Sequence, residues 1–207
     1  MIKRFIKRMI GWTTVLLLGA TVNVSAATNV YYPPTPTYTY QLNGGMGNIT
    51  VYLDYASGVG AWEPYITQAA HDWMYTGWGN PIYITFVSSN SASQIDVHAD
   101  DGSHWEGIGG GVFASTTLRK NGNEVDGDVE NWNYADIYLN DPVLRSDDVS
   151  NFNCQGTITH EFGHAFGLKH YNTNPTSIMC QIGAGRTVNV PAYCDNCAIN
   201  NKYNYGG

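Results

Sequence analysis

The sequence has few charged residues and no long Ala/Glu/Lys/Leu periodicity, which excludes a helical bundle and a coiled coil. Charged residues make up 13% of its 207 residues and hydrophobic residues 43%, so the chain can bury a core. Four of the ten basic residues lie within the first eight positions. Beyond Arg8, six basic residues face 17 acidic ones, a net charge of −11. Phosphate backbones and anionic membrane surfaces would repel such a body, so we expect no nucleic-acid partner and no lipid surface.

An apolar run near the amino terminus is too short for a membrane span. Residues 9–20 fall below the roughly 20 residues that a spanning helix needs. The run follows a basic segment and precedes the small residues Val24, Ser25 and Ala26, which is the pattern of a secretory signal peptide cleaved after Ala26. We therefore expect a secreted monomer without a membrane span. The predicted organisation is a signal peptide at 1–26, an extended arm rich in Tyr, Thr and Pro at 27–48, and one catalytic domain at 49–207.

Strand and helix patterns are mixed along the mature chain, and no internal repeat or linker divides it. Alternating β-branched and aromatic residues predict strands, whereas apolar residues at steps of three and four predict helices. This combination is typical of the α+β class. The predicted strands are 49–54, 82–87, 94–98, 112–116 (an edge strand) and 135–140, and the predicted helices are 62–75, 151–168 and 191–203.

One stretch of the third predicted helix carries the chemistry. His160 and His164 are four residues apart, so they share a helix face and direct two imidazoles at one point, with Glu161 beside it. Gly167 can adopt the left-handed conformation that ends a helix, which would return the chain and bring His170 to the same point. Three imidazoles leave a fourth tetrahedral position open, as in catalytic rather than structural zinc sites.

The eleven residues from His160 to His170 fit the pattern H-E-x-x-H-x-x-G-x-x-H, and Met179 follows nine residues later. In this the chain resembles the metzincin superfamily of zinc endopeptidases, and its S-I-M turn looks like that of the bacterial matrixin-like branch. The resemblance implies a zincin catalytic domain, a twisted mixed sheet with an active-site helix and a C-terminal helix. It also implies roles for individual residues: one catalytic zinc held by His160, His164 and His170, Glu161 as the general base, Gly167 as the turn that supports the site, and Met179 as a hydrophobic floor.

By the same resemblance, the substrate is a protein or peptide bound in extended form along the glycine-preceded edge strand at 112–116. The residues after Met179 would form the wall of the main pocket. Tyr171 stands where matrixins have Ser or Thr, so cleavage specificity cannot be transferred. The cysteine-containing propeptide of animal matrixins is absent from 27–47.

Other acidic residues and histidines of the sequence could bind calcium or a second metal ion. Hard carboxylate oxygens suit calcium, but the acidic residues here lack the spacing of a recognised calcium loop. The residues considered for calcium are Asp96, Asp126, Asp128 and Glu130, and those considered for a second metal ion are His98, Asp100, Asp101 and His104.

Four cysteines in an exported chain predict two disulfides. We favour Cys180–Cys194, which would staple the loop after Met179, with Cys154–Cys197. The alternative is Cys154–Cys180 with a local Cys194–Cys197 bridge, because sequence alone cannot choose among the three pairings. A redox C-x-x-C at Cys194 and Cys197 is a weaker interpretation, because no thioredoxin-like context surrounds it.

Three functions fit these patterns. The first is a secreted zinc endopeptidase, the second a secreted zinc-binding module for adhesion without proteolysis, and the third a hydrolase of a non-peptide bond at the same metal site. Glu161 favours the first over the second, because a binding module needs no base at that position.

Overall fold

The computed structural model describes residues 32–105 and 111–206. The predicted signal peptide, the first residues of the predicted arm and part of the glycine run before the edge strand lie outside the described residues. Residues 32–206 belong to one compact unit. The strands are β1 (Ile49–Leu53), β2 (Ile84–Val87), β3 (Ile95–Asp100), β4 (Ala114–Lys120), β5 (Asn123–Glu124) and β6 (Tyr134–Asn140), and the helices are α1 (Glu63–Met74), α2 (Asp141–Leu144), α3 (Asn151–Ala165) and α4 (Tyr193–Lys202). No helix in this part of the chain is long and apolar enough to cross a membrane.

The strands form one mixed sheet in the order β2-β1-β3-β6-β4-β5. The first four are parallel to one another, and β4 runs antiparallel to β6 in a register that pairs Thr116 with Ile137. On the other side of β4, the short strand β5 pairs only with Arg119 and Lys120. The Val125 amide also donates to the Leu118 carbonyl at 2.9 Å. Within the described residues, the stretch from Ala114 to Thr117 is therefore a free sheet edge.

The core lies between the sheet and the helices α1 and α3, which pack against each other. On α1 the apolar residues Ile66, Ala69, Ala70 and Trp73 are buried, as their spacing predicts. Helix α3 is buried along nearly its whole length, so it passes through the centre of the domain. The indole of Trp73 donates to the Thr159 carbonyl on α3 at 2.9 Å, which satisfies its polar group inside the core.

Residues 32–48, part of the predicted arm, pack against the body. The amide of Thr35 donates to the Cys194 carbonyl at 3.1 Å, and the amide of Tyr38 donates to the Gly167 carbonyl at 2.9 Å. Leu42 is fully buried. These contacts place the segment beside the end of α3 and the start of α4.

The α+β class and the mixed sheet with its central and C-terminal helices are as the sequence predicts. Some boundaries differ. The edge strand covers Ala114–Lys120 rather than 112–116, because β4 pairs with β6 up to Arg119. Helix α3 ends at Ala165 rather than residue 168, because Gly167 reverses the chain. The one-turn helix α2 was not predicted.

Candidate metal centre

Helix α3 positions two of the three predicted zinc ligands. Its first turn is capped by Ser150, whose hydroxyl accepts from the Asn153 amide at 3.2 Å. Almost three turns later His160 and His164 lie on one face, with ring centroids 4.7 Å apart. His160 is 5% exposed, and His164 lies closer to the surface.

The third histidine arrives through a turn at the end of α3. Gly167 has φ 98°, in the left-handed region that favours glycine. Its amide donates to the His164 carbonyl, and the Leu168 amide donates to the Gly163 carbonyl, both at 2.9 Å. This pair of bonds is the Schellman motif, which closes a helix and reverses the chain. As a result His170 lies with its ring centroid 4.7 Å from that of His164 and 5.2 Å from that of His160.

Backbone carbonyls fix the orientation of two of the rings. His160 Nδ1 lies 2.8 Å from the Ile178 carbonyl oxygen, and His164 Nδ1 lies 2.9 Å from the Leu168 carbonyl oxygen. Since only a protonated Nδ1 can donate to a carbonyl, the neutral rings leave their Nε2 lone pairs free. His164 Nε2 faces His170 Nε2 at 3.1 Å. The ligand atoms of the three histidines all lie within 4.8 Å of one another.

Burial keeps the three imidazoles neutral. It holds the pKa of His160 well below its usual range and lowers the pKa of His164 to about 4, and it also lowers the pKa of His170. The proximity of the other imidazoles acts in the same direction on His160 and His164. Neutral imidazole is the form that binds a metal ion, so the site is ready for one at neutral pH.

Glu161 lies beside the histidines in a buried position, 5% exposed. Burial raises the pKa of its carboxyl to about 7, against the opposing effects of a hydrogen bond from Thr116 and the charge of Arg186. Thr116 Oγ1 lies 2.7 Å from Glu161 Oε2 and 3.0 Å from the Glu161 carbonyl oxygen. Thr116 belongs to the free edge of β4, so this hydroxyl connects the sheet edge to the carboxylate.

The turn that contains Met179 packs under the site. A β-carbon on Gly163 would overlap the sulfur of Met179 and lie 3.2 Å from Trp73, so the two side chains fill the space beneath the histidine helix. The turn itself is held by buried Asp195 on α4. Its carboxylate accepts from the Ser177 hydroxyl at 2.6 Å and from the Ile178 amide at 2.9 Å.

A cleft of about 750 Å³ opens over these groups. The residues around it come mainly from the β4 edge and the segment before it, from α3 and the turn after it, and from the loop after Met179, with Tyr38 from the N-terminal segment. They include Ala114, Thr116, Thr157, Glu161, the three histidines, Gln181, Gly183 and Arg186. The cleft therefore places a sheet edge and a pocket wall on either side of the histidine cluster.

A comparison with protein-family models matches the Matrixin family of peptidases over residues 61–204, well over half of the chain. The chain belongs to the matrixin family. A search of curated proteins gives no significant match. As a matrixin, the protein is a zinc metallopeptidase with the metzincin fold, which confirms the family and fold predicted from the histidine motif.

The residues of this matrixin fit the zinc ion that its family binds. Three neutral imidazoles with converging nitrogens are a typical donor set for catalytic zinc, because they leave one position open. The carbonyl partners of His160 and His164 supply the outer contacts that fix the tautomer of such ligands. His160, His164 and His170 thus form a possible zinc site.

The four residues considered for a second metal ion do not form one cluster of ligand atoms in the described part of the matrixin structure. Asp100 and Asp101 accept hydrogen bonds from nearby amides, and the ring of His104 stacks on Tyr138. His98 lies 3.1 Å from an Asp54 oxygen and 3.3 Å from an Asp136 oxygen. Burial opposes protonation of His98, but these two carboxylates raise its pKa.

The ligand atoms of Asp96, His98 and Asp136 do lie within 4.8 Å of one another. Because Arg119 pairs with Asp136, this cluster is already a network of opposite charges. Of the other calcium candidates, Asp128 pairs with Lys169 and Glu130 with Lys120. Calcium binding therefore stays a prediction without structural support.

The four cysteines of this matrixin, all within the described residues, are free in the structure. Cys154, Cys180 and Cys194 are buried, and Cys197 is partly exposed. Both disulfide pairings therefore remain predictions.

Sequence reasoning predicted the segments that contain Thr116 and Arg186, the edge strand and the wall after Met179, but gave neither residue a role of its own. Thr116 gave no signal, because its contact with Glu161 joins residues 45 positions apart. Arg186 gave a weak one: it is the only Lys or Arg between Lys169 and Lys202, in a loop rich in glycine.

Proposed function

We propose that the protein is a secreted zinc endopeptidase that hydrolyses extended peptides with Glu161 as the general base. The observation that carries the proposal is a buried carboxylate with a raised pKa beside three convergent imidazoles. A module that only binds zinc has no need of such a group, because burying a carboxyl with one side-chain hydrogen bond is unfavourable for folding.

The free edge of β4 supports the binding of an extended substrate. From Ala114 to Thr117 no described strand pairs with the outer side of β4, and the edge borders the cleft. A peptide that adds to this edge by main-chain hydrogen bonds lies across the histidine cluster.

Glu161 moves the proton. Its Oε2 accepts from Thr116, which leaves Oε1 for the attacking water. Oε1 takes a proton from that water as the water oxygen bonds to the peptide carbonyl carbon. The proton passes to the amide nitrogen as the C–N bond breaks, so the products are a carboxylate and an amine. A carboxyl with a pKa near the working pH both accepts and releases a proton readily.

His160, His164 and His170 would hold the zinc ion through their ring nitrogens. When bound, zinc supplies a Lewis acid that polarises the peptide carbonyl and lowers the pKa of water. The Met179 turn below α3 keeps the histidine helix in place, since Met179 and Gly163 are in close contact.

Secretion is part of the proposal and rests on the leader pattern at 1–26. An oxidising compartment would permit the two predicted disulfides. We further propose that the protein acts as a monomer with a catalytic domain at 49–207 and residues 27–48 as its N-terminal arm.

The test is cleavage of a peptide library by the purified protein, with zinc removed by a chelator and then restored. We expect peptide cleavage only with zinc. Glu161→Ala should keep its zinc and lose about 10²- to 10⁴-fold in rate, the usual effect of losing a general base. Glu124→Ala removes an exposed glutamate on β5 and serves as the matched control.

Two results would overturn the proposal. Parental rates in Glu161→Ala would remove the proposed base. Zinc binding without cleavage of any peptide would favour the binding module, or the hydrolase of a non-peptide bond if ester substrates are cleaved instead.

A further inference from the structure

Arg186 is a buried cation in the wall of the cleft. It follows the loop Ile182–Ala184 and Gly185, after the Met179 turn, and it is 9% exposed. Burial lowers the pKa of its guanidinium to about 10, so the group is still charged at neutral pH. A positive charge therefore lies in the cleft beside the proposed zinc site.

This charge is poorly compensated. Among the described residues, no carboxylate forms an ion pair with Arg186, and its guanidinium makes one hydrogen bond, a long one of 3.5 Å from Nη2 to Thr157 Oγ1. Its Nε is buried and has no hydrogen-bond partner there. An unpaired buried charge is costly, and the described part of the chain gives this cation no paired carboxylate.

Among the described residues, the carboxylate that raises the pKa of Arg186 is that of Glu161, which acts at longer range, and Cys180 acts in the same direction. Glu161 is already hydrogen-bonded to Thr116. The undescribed residues 1–31 contain no Asp or Glu, and the one acidic residue among the other undescribed positions is Glu106.

Helix α3 provides the space for the guanidinium. A β-carbon on Gly156 would lie 2.8 Å from Arg186 Nη2 and 3.2 Å from the Cα of Asn189, so a larger residue there would displace the guanidinium. Gly156 precedes His160 by four residues and Thr157 precedes Glu161 by four, so the guanidinium packs about one helical turn from the site. A turn of helix rises about 5.4 Å, which is within the reach of one substrate side chain.

We propose that Arg186 selects substrates with an aspartate or glutamate next to the scissile bond, whose carboxylate pairs with the guanidinium in the cleft. The inference rests on the proposed peptidase function and names its substrate class. The planar guanidinium can donate two parallel hydrogen bonds to a carboxylate, and a neutral amide of the same shape cannot supply the charge.

Paired peptides measure this preference directly. Each pair differs only in Glu against Gln, or Asp against Asn, at one of the two residues that flank the cleaved bond. We expect the zinc-loaded protein to cleave the acidic member with a kcat/KM about 10- to 100-fold higher at one of these positions, the usual range for a charge-assisted pair. Arg186→Met should reduce the ratio to about one, because only the acidic peptides lose a charge-assisted pair.

Three further variants sharpen the result. Arg186→Lys should keep part of the preference, because lysine retains the positive charge but cannot donate two parallel hydrogen bonds to a carboxylate. Arg145→Met removes an exposed arginine that pairs with Asp141 outside the cleft, and it should keep the full ratio. Glu106→Gln should also leave the ratio unchanged. A rise in the acidic preference of Glu106→Gln would identify Glu106 as the partner of Arg186 and overturn the proposal.

Binding to the metal-free protein gives a readout that does not depend on hydrolysis. In the presence of a chelator, the acidic peptide should bind about tenfold or more tightly than its amide partner by calorimetry, and Arg186→Met should abolish the difference. If no peptide is cleaved but this difference holds, the proposed function fails and the role of Arg186 in binding stands.

Other outcomes overturn the inference. A ratio near one in the parent protein would show that Arg186 does not select acidic substrates. An equal loss on all peptides in Arg186→Met would show that Arg186 acts through Glu161 instead. A large fall in the melting temperature of Arg186→Met would show that the guanidinium already has a stabilising partner within the chain.

Discussion

Replacing Glu161 by glutamine should stabilise the metal-free protein at pH 8 and leave its stability unchanged at pH 4. The carboxyl has a pKa of about 7 in the folded protein, raised by burial from the ordinary value of 4.5. The folded state therefore keeps this proton to a higher pH than the unfolded state does. As the pH rises from about 4.5 to 7, the unfolded state loses its proton first, so the free energy of unfolding falls.

The size of the effect follows from the shift. One pKa unit corresponds to about 1.4 kcal/mol, so a shift from 4.5 to about 7 costs roughly 3 kcal/mol of stability above pH 7. Glutamine has the same shape, does not ionise and can still accept from the Thr116 hydroxyl. The same substitution should abolish most hydrolysis, so stability and activity change in opposite directions.

Urea denaturation in the presence of a chelator measures this difference at pH 4, 6 and 8. The histidines also titrate, but they are present in both proteins and cancel in the comparison. Glu124→Gln on β5 is the control and should give a small difference that does not depend on pH. A difference between Glu161→Gln and the parent that is the same at all three pH values would refute the burial of a protonatable carboxyl beside the histidines.

Three other predictions concern the metal, the packing and the cysteines. His164→Ala and His170→Ala should each lower the zinc content, and elemental analysis that finds one tightly held zinc in either variant would contradict the ligand assignment. Gly163→Ala should destabilise the protein by about 1–3 kcal/mol in urea denaturation, because the new methyl overlaps Met179; unchanged stability would refute this contact. Non-reducing peptide mapping of the exported protein should find Cys180 linked to Cys194 and Cys154 to Cys197, whereas a fragment joining Cys154 to Cys180, or four free thiols, would show the favoured pairing to be wrong.

The histidine site could be predicted from sequence because its parts are close along the chain. His160 and His164 are one helical turn apart, and the turn at Gly167 needs only the local conformational freedom of glycine. The extent of β4 could not be predicted to the residue, because its end at Lys120 depends on pairing with β6 and with β5.

The environment of the site depends on contacts between distant segments, which periodicity does not reveal. The hydrogen bond from Thr116 to Glu161 joins a sheet edge to the central helix, and Arg186 reaches α3 from a loop 29 residues beyond Thr157. The pKa of Glu161 likewise depends on burial by the whole fold. Sequence therefore predicts which groups come together at the candidate site, and the structure is needed for their pKa values and for the contacts of Thr116 and Arg186.

The central claim is that hydrolysis needs both Glu161 as the base and one zinc ion held by His160, His164 and His170. Peptide hydrolysis as a function of added zinc is its most direct test. Protein stripped by a chelator should be inactive, and its activity should rise linearly and reach a plateau at one zinc per chain. Glu161→Ala should bind the same single zinc without regaining activity. Hydrolysis by the stripped protein, or full activity of the zinc-loaded Glu161→Ala variant, would contradict the account.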